Sequence, residues 1–357
     1  MAPTNRNSST TTDTWRGIFQ YTLVLLIFVG LIIYALCTAW LSGRGSGTRS
    51  VIIYGFSILG EAMNQEILPT FQQQWLEKTG EDIGFITSFA GSGEITEQLV
   101  KGVPAEIAIL STESDAMILM EKGVIRGPTW KNLPHAGILN RSPIVILVRP
   151  GNPHQISDFS DLTSGAFELI HPHPFSSGGA KWAILAEYGS AWLTTGNFQL
   201  AVDQLTGIWQ QVAILPVSVH QAMNQFQNSV GDVLITYEQS YLRGKALQNL
   251  GGEVVYPQST IFSEHTVIRL DKHINAGQEE LVDRLLQFLW SREAQAIFVS
   301  HGFRSVDDGL NTMNPAFGHI DKPFTIQDLG GWQQVDRTIF QEVWRDKIFP
   351  QMQNAHK

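Results

Sequence analysis

Apolar positions fall along this chain in three ways. The first is an unbroken block: no side chain between Gly17 and Gly43 is charged, and Tyr21–Leu41 (YTLVLLIFVGLIIYALCTAWL) is almost wholly apolar. Those 21 residues, coiled as a helix, reach about 30 Å, the thickness of a hydrocarbon core. Tyr21 and Trp40 stand near its ends, where interfacial aromatics belong. The pattern predicts one N-terminal transmembrane helix over 19–41, an anchor that follows a disordered tail (1–18) and precedes a flexible linker (42–50) rich in Gly and Ser. A cleaved secretory signal is the alternative, although such signals have shorter apolar regions and no clean small-x-small site follows this one.

The second pattern begins past residue 50, where short apolar runs alternate with stretches of helical period. Val51–Phe56, Asp82–Phe89, Ala105–Leu110, Pro143–Val148, Phe167–His171, Val230–Tyr237, Glu253–Tyr256 and Thr266–Leu270 read as strands. Glu61–Lys78, Glu94–Lys101, Ala180–Tyr188 and the long Gln278–Ser300 read as helices, with Met63, Phe71 and Trp75 on a core-facing stripe. This alternation is the signature of an α/β fold. The third pattern lies at the junctions. Ser57, Ser92 and Ser177-Gly178-Gly179 each fall between the end of a strand and the start of a helix. Ligands of open α/β sheets bind outside the carboxyl ends of the strands, where helix starts offer free N–H groups to an anion. Each serine alone also fits a plain N-cap, but two glycines at a helix start cost helix stability and need another reason.

Composition narrows the chemistry. Of 24 basic and 33 acidic residues, Arg6, Arg16, Arg44, Arg49 and Asp13 belong to the first 49, leaving 20 against 32 and a net charge of −12 on the remainder. Nucleic-acid binding needs clustered Lys and Arg, and no basic stripe occurs. The single cysteine, Cys37, excludes disulfide pairs and thiolate clusters within one chain. His171-Pro172-His173 is the nearest approach to a metal motif, yet alternation on a strand sends its rings to opposite faces. No cofactor or metal is implied, and no nucleophile–base pair marks an enzyme.

Several blocks, in order and over about 300 residues, resemble the bacterial periplasmic sulfate-binding proteins of ABC transporters and their thiosulfate-binding relatives. They are Gly91-Ser92-Gly93, Leu147–Ile156, Pro174-Phe-Ser-Ser-Gly-Gly-Ala-Lys-Trp182, Gly231–Ile235, Phe324-Thr325-Ile326 and Gly330-Gly331-Trp332. The resemblance implies a two-lobed, periplasmic-binding-protein-like (type II) α/β fold with two hinge crossovers, near Ile144–Val148 and Ser259–Val267. Lobe one would take 51–143 with 266–318, lobe two 149–258, and 319–357 would wrap back over the body. It implies capture of sulfate, thiosulfate or another tetrahedral oxyanion, without cationic side chains, by a monomer that serves ABC permease subunits. The place would be the periplasmic side of the inner membrane, held there by the anchor or soluble if the segment is cleaved. A membrane-anchored oxyanion sensor using the same cleft is the alternative.

Carried over residue by residue, Ser92 matches a hydroxyl donor, Ser177, Gly178 and Gly179 match helix-terminal amides, and Val219 matches a further amide. Ser57 stands where the family has an aspartate amide, and Tyr237 where it has a tryptophan donor. The family's Gly-Ala-Arg-Gly is Ser218-Val219-His220-Gln221 here, without the arginine. Sulfate only accepts hydrogen bonds, whereas phosphate keeps a proton that needs an acceptor. The position of Glu61, Glu94 and Glu238 therefore bears on which anion is taken.

Overall fold

A computed structural model describes residues 49–355. Eleven strands run in chain order as β1 (Arg49–Phe56), β2 (Ile83–Ala90), β3 (Ile107–Leu110), β4 (Ile138–Val148), β5 (Leu169–Ile170), β6 (Val212–Ile214), β7 (Val233–Tyr237), β8 (Glu253–Val255), β9 (Ser259–Arg269), β10 (Arg304–Ser305) and β11 (Lys322–Phe324). Their order across the main sheet is β2-β1-β3-β9-β4-β7-β5-β6. The helices used below are α1 (Leu68–Thr79), α2 (Ser92–Val100), α3 (Glu113–Glu121), α4 (Gly178–Thr195), α5 (Phe198–Gln210), α6 (Val219–Gln227), α7 (Glu238–Ala246), α8 (Glu279–Leu289) and α9 (Arg292–Ser300).

Two lobes follow from how β4 and β9 are shared. Residues 138–143 of β4 pair antiparallel with β9, which in turn pairs with β3. From Ile144 the same strand pairs instead with β7 and β8. One lobe therefore carries β1–β3 and most of β9, the other carries β5–β8, and β4 passes between them at Pro143/Ile144. The sequence shows only the apolar second half of β4. Its first half holds Asn140 and Ser142, both fully buried. They survive burial because each is bonded: His265 Nδ1 lies 2.6 Å from Asn140 Oδ1, and Ser142 Oγ accepts from the Gln239 N–H at 3.1 Å.

Helix boundaries show what periodicity misses. The first helical run starts at Ser57, four residues before the expected Glu61, as a 3₁₀ turn (Ser57–Leu59), and passes through a wider turn (Met63–Ile67) into α1. Met63, Phe71 and Trp75 are buried on it as expected. The helix expected over Gln278–Ser300 is two helices, α8 and α9. Ser291 breaks it, with extended backbone and a hydroxyl that accepts from the Ala294 N–H, a local cap that outcompetes continuation. Near the C-terminus, Phe324 packs on Gly189 of α4, and the Trp332 ring lies 4.9 Å from Trp182. Among the described residues no helix is long and apolar enough to cross a membrane. The anchor expected over 19–41 lies outside them.

Candidate functional site

Strand ends from both lobes deliver the same kind of residue to one cleft. From the first lobe, β1 runs into Ser57, β2 leads through Gly91 into α2 at Ser92, and Ser111 follows the end of β3. From the second, the turn after β5 leads into α4 at Gly178, β6 leads into α6 at Val219, and β7 ends in Tyr237. Close approach is the reason for the glycines. A Cβ on Gly178 would stand 2.6 Å from Ser111 Cβ and 3.1 Å from Ser92 Cβ, and one on Gly179 would stand 2.4 Å from Val219 Cγ2 and 3.0 Å from Tyr237 Oη. A Cβ on Gly91 would lie 2.3 Å from the Ser176 carbonyl oxygen of the other lobe. Ser92, Ser111, Gly178, Gly179, Val219 and Tyr237 thus meet at one point, and all are buried.

None of the three junction serines acts as a side-chain cap. Neither the 3₁₀ turn at Ser57, nor α2, nor α4 has a capping side-chain hydrogen bond at its start. The first N–H groups of a helix have no intrahelical acceptor, so the amides of Gly178 and Gly179 at the start of α4 and of Val219 at the start of α6 remain for another partner. Each also sits at the positive end of its helix dipole.

Three assigned roles differ from expectation. The Ser92 hydroxyl donates to Asp115 Oδ2 at 2.6 Å and accepts from the Ser111 N–H at 3.0 Å, so its proton is directed into the first lobe and not into the cleft. The Ser177 N–H closes a turn on the His173 carbonyl at 2.9 Å, so that amide is occupied. Ser57, half-buried, lies at the mouth with Gly91, Glu94, Val217 and His220, around a cavity of about 310 Å³, and not among the deepest groups.

Residues that sequence reasoning passed over complete the site. The Ser111 hydroxyl lies 2.7 Å from Tyr237 Oη, and the Trp182 indole donates to the Ser111 carbonyl at 2.7 Å. Ser111 sits just past a strand, as the other serines do, and that position was its signal. Lys181 donates to Asp115 Oδ1 at 2.7 Å, so the charge nearest the glycines is spent on a carboxylate. Burial pushes the Tyr237 phenol well above its ordinary range, so it stays protonated. Burial equally holds His265, 5.5 Å from the Tyr237 ring, neutral with a pKa lowered to about 3.

The lobes are closed on each other. Besides the Ser111 contacts, the Gly93 N–H donates to the Ser176 carbonyl at 3.0 Å, and Arg243 Nε reaches Glu61 Oε2 at 2.8 Å. Glu238 is fully buried and gripped by Arg304 at 2.8 Å through both its oxygens, while Glu94 is exposed. His171 faces Glu187 at 3.1 Å with its ring tilted against Trp209, whereas His173 lies among Phe175 and Phe349.

A cleft between two lobes, joined by shared strands and lined by helix starts, defines the two-lobed solute-binding class. Residues 53–304 match the family of bacterial extracellular solute-binding proteins. The sulfate-binding protein of Synechococcus elongatus is 32% identical over 86% of this chain and 89% of its own length. That of Escherichia coli is 33% identical over 76% and 84%, and a thiosulfate-binding protein of Pseudomonas aeruginosa is 26% identical over 84% and 92%. Among solved structures, the sulfate-binding protein SubI of Mycobacterium tuberculosis superposes with a TM-score of 0.73 at 28% identity, covering 81% of this chain and 98% of that one. The chain belongs to the bacterial extracellular solute-binding proteins, in the group of sulfate- and thiosulfate-binding proteins.

Proposed function

We propose that the protein captures sulfate or thiosulfate between its lobes and delivers it to the permease of an ABC importer. The observation that carries this reading is the convergence of helix starts and neutral hydroxyls on one buried point, with Lys181 beside the glycines already paired to Asp115. A dianion there can be bound by fixed dipoles alone. The protein's net charge of −9 does not oppose this, because distant charges are screened within about 10 Å by salt while the helix-terminal amides act at contact. Donors come from both lobes: Ser111 from the first, with Ser57 at the mouth, and Ser177 through its hydroxyl, Gly178, Gly179, Val219 and Tyr237 from the second. Ser92 supports the site by holding the Ser111 backbone. An anion bridging the two sets binds the closed form better than the open one and shifts the hinge equilibrium towards closure. Calorimetric titration of the full chain with sulfate, thiosulfate, phosphate, molybdate and tungstate tests this. One-to-one binding of sulfate or thiosulfate is expected, and a folded protein that gives no binding to either refutes it.

The apolar segment 19–41 is read as an uncleaved anchor that keeps a monomeric binding domain on the periplasmic face of the inner membrane. Its length supports that reading. The intact chain should fractionate with membranes at full mass, and a mature N-terminus at or after Ala39 would show cleavage instead.

A further inference from the structure

Contacts between two lobes differ in how far they lie from the hinge. In a rotation, displacement grows with distance from the axis, so a contact at the mouth must part on opening while one at the pivot need not. Arg304 stands at the pivot. β10 pairs with the first-lobe half of β4, where Arg304 faces Arg141, two positions before Pro143. Its guanidinium lies 5.2 Å from the ring of Phe262, the β9 residue paired with Pro143, and 4.8 Å from that of Phe317. From the second lobe it meets Glu238, the first residue of α7, which directly follows Tyr237. Tyr237 itself pairs with Ile144, the first residue of β4 past the crossing.

The grip is specific. Arg304 Nε and Nη2 donate to the two Glu238 oxygens, each at 2.8 Å, and the Gly318 N–H donates to Oε1 at 2.8 Å. Arg304 Nη2 also donates to the Gly318 carbonyl at 2.6 Å. The next residue crosses as well: the Gln239 N–H donates to Ser142 Oγ and its side-chain amide to the His301 carbonyl, both at 3.1 Å. The start of α7 is thus fixed to the first lobe at both of its leading positions. A planar guanidinium that holds both oxygens of a fully buried carboxylate, beside two aromatic rings, allows little change of angle.

We infer that the Arg304–Glu238 pair is a brace across the hinge, which stays made while the lobes part and sets the register in which Tyr237 and the starts of α4 and α6 return to Ser111. The inference rests on the reading of the cleft as an oxyanion site, and assigns Arg304 and Glu238 as positioning residues that do not touch the anion. Apolar residues of like volume often stabilise a fold as well as a buried ion pair does, so alignment rather than stability is what this pair adds.

The test uses full-length protein carrying Cys37→Ser, Ile86→Cys and Leu200→Cys, with spin labels on the two new cysteines. Ile86 on β2 and Leu200 on α5 are exposed, one on each lobe, and neither lines the cleft. Pulsed electron paramagnetic resonance then reads the spread of lobe-to-lobe distances, and calorimetry with sodium sulfate reads affinity. Removing one charge leaves the other buried and unpaired, so the first variant is Arg304→Met with Glu238→Gln, which leaves neither. Arg304→Lys, which keeps the charge and loses the two-point grip, is the second, and near-ultraviolet circular dichroism shows which of them folds. Both should broaden the distance distribution, with and without sulfate, and weaken sulfate at least about tenfold, the worth of one donor out of register. A folded variant with distributions as narrow as wild type overturns the inference, whether or not its affinity falls. So does a broad distribution with unchanged affinity. If the parent protein binds no sulfate, the oxyanion reading has failed, and the ligand-free distributions still decide whether the brace exists.

Discussion

Replacing Gly178 by alanine should separate closure of the cleft from stability of the fold. In an ordinary helix that change helps by about 0.5–1 kcal/mol, because glycine loses more backbone freedom on folding. Here the new methyl would sit 2.6 Å from Ser111 Cβ and 2.7 Å from Ser111 Oγ, across the cleft. Carbon atoms in contact prefer about 3.5–4.0 Å, so the lobes must part by about 1 Å. Parting by that much takes the Trp182–Ser111 and Ser111–Tyr237 bonds, each 2.7 Å now, past the range of a useful hydrogen bond. Overpacking of this kind costs about 1–3 kcal/mol, so sulfate should bind roughly 5- to 150-fold more weakly. Calorimetry gives the affinity, and thermal unfolding without ligand gives the fold, whose midpoint should hardly move because the open form accommodates the methyl. If Gly178→Ala binds sulfate as tightly as wild type, α4 does not close on Ser111 around the anion, and the geometry argued above is wrong.

Three further outcomes are expected. Ser92→Ala strips Asp115 of a 2.6 Å donor and should lower the unfolding free energy by about 1.5–3 kcal/mol in denaturant titration without ligand; unchanged stability would show that the bond is not formed. Arg243→Ala removes an ion pair across the cleft whose side chains are partly exposed, so sulfate affinity should fall less than about fivefold and the difference should shrink in high salt; a larger, salt-independent loss would contradict it. Because Arg243 holds the Glu61 carboxyl below its usual range, that pair's contribution should persist above the unfolded carboxyl's pKa and fade only as pH falls through the lowered value. His265 is neutral when folded, with a pKa of about 3, but takes up a proton near pH 6.5 when unfolded, so stability should fall by about 2 kcal/mol from about pH 7 to about pH 5 on its account. His265→Gln should show a smaller fall in urea unfolding at the two pH values, and an equal fall would place the acid sensitivity elsewhere.

The alternation of apolar runs located eight of the eleven described strands in whole or in part, because buried strands of an α/β sheet are apolar on both faces, and it passed over the short β6, β10 and β11. It also missed Ile138–Ser142 of β4, where buried Asn140 Oδ1 and Ser142 Oγ bond to partners far away in sequence, His265 and Gln239. No local pattern encodes such pairs. The paired glycines of Ser177-Gly178-Gly179 were legible as a site because glycine at a helix start has a cost that only close approach explains. The direction of the Ser92 proton was not legible, since Asp115 stands 23 positions on and reaches the serine only once α2 and α3 pack together. Ser111 carries no local mark beyond its place after a strand: the structure places the cap of the next helix on Thr112, one residue further on, so nothing else at Ser111 singles it out.

The sharing of β9 also bears on how the chain can acquire its structure during synthesis. β3 is complete by residue 110, but the strand that covers its open edge spans Ser259–Arg269. The second lobe lies between them as one continuous stretch and can fold as it emerges. The first lobe must wait, with an edge of Ile107–Leu110 unpaired while roughly 150 more residues are made. Pairing so distant in sequence is slow, and an apolar edge left open that long invites association with other chains. Folding of the nascent protein should therefore proceed from the middle outwards, with the first lobe the part that holdase chaperones protect.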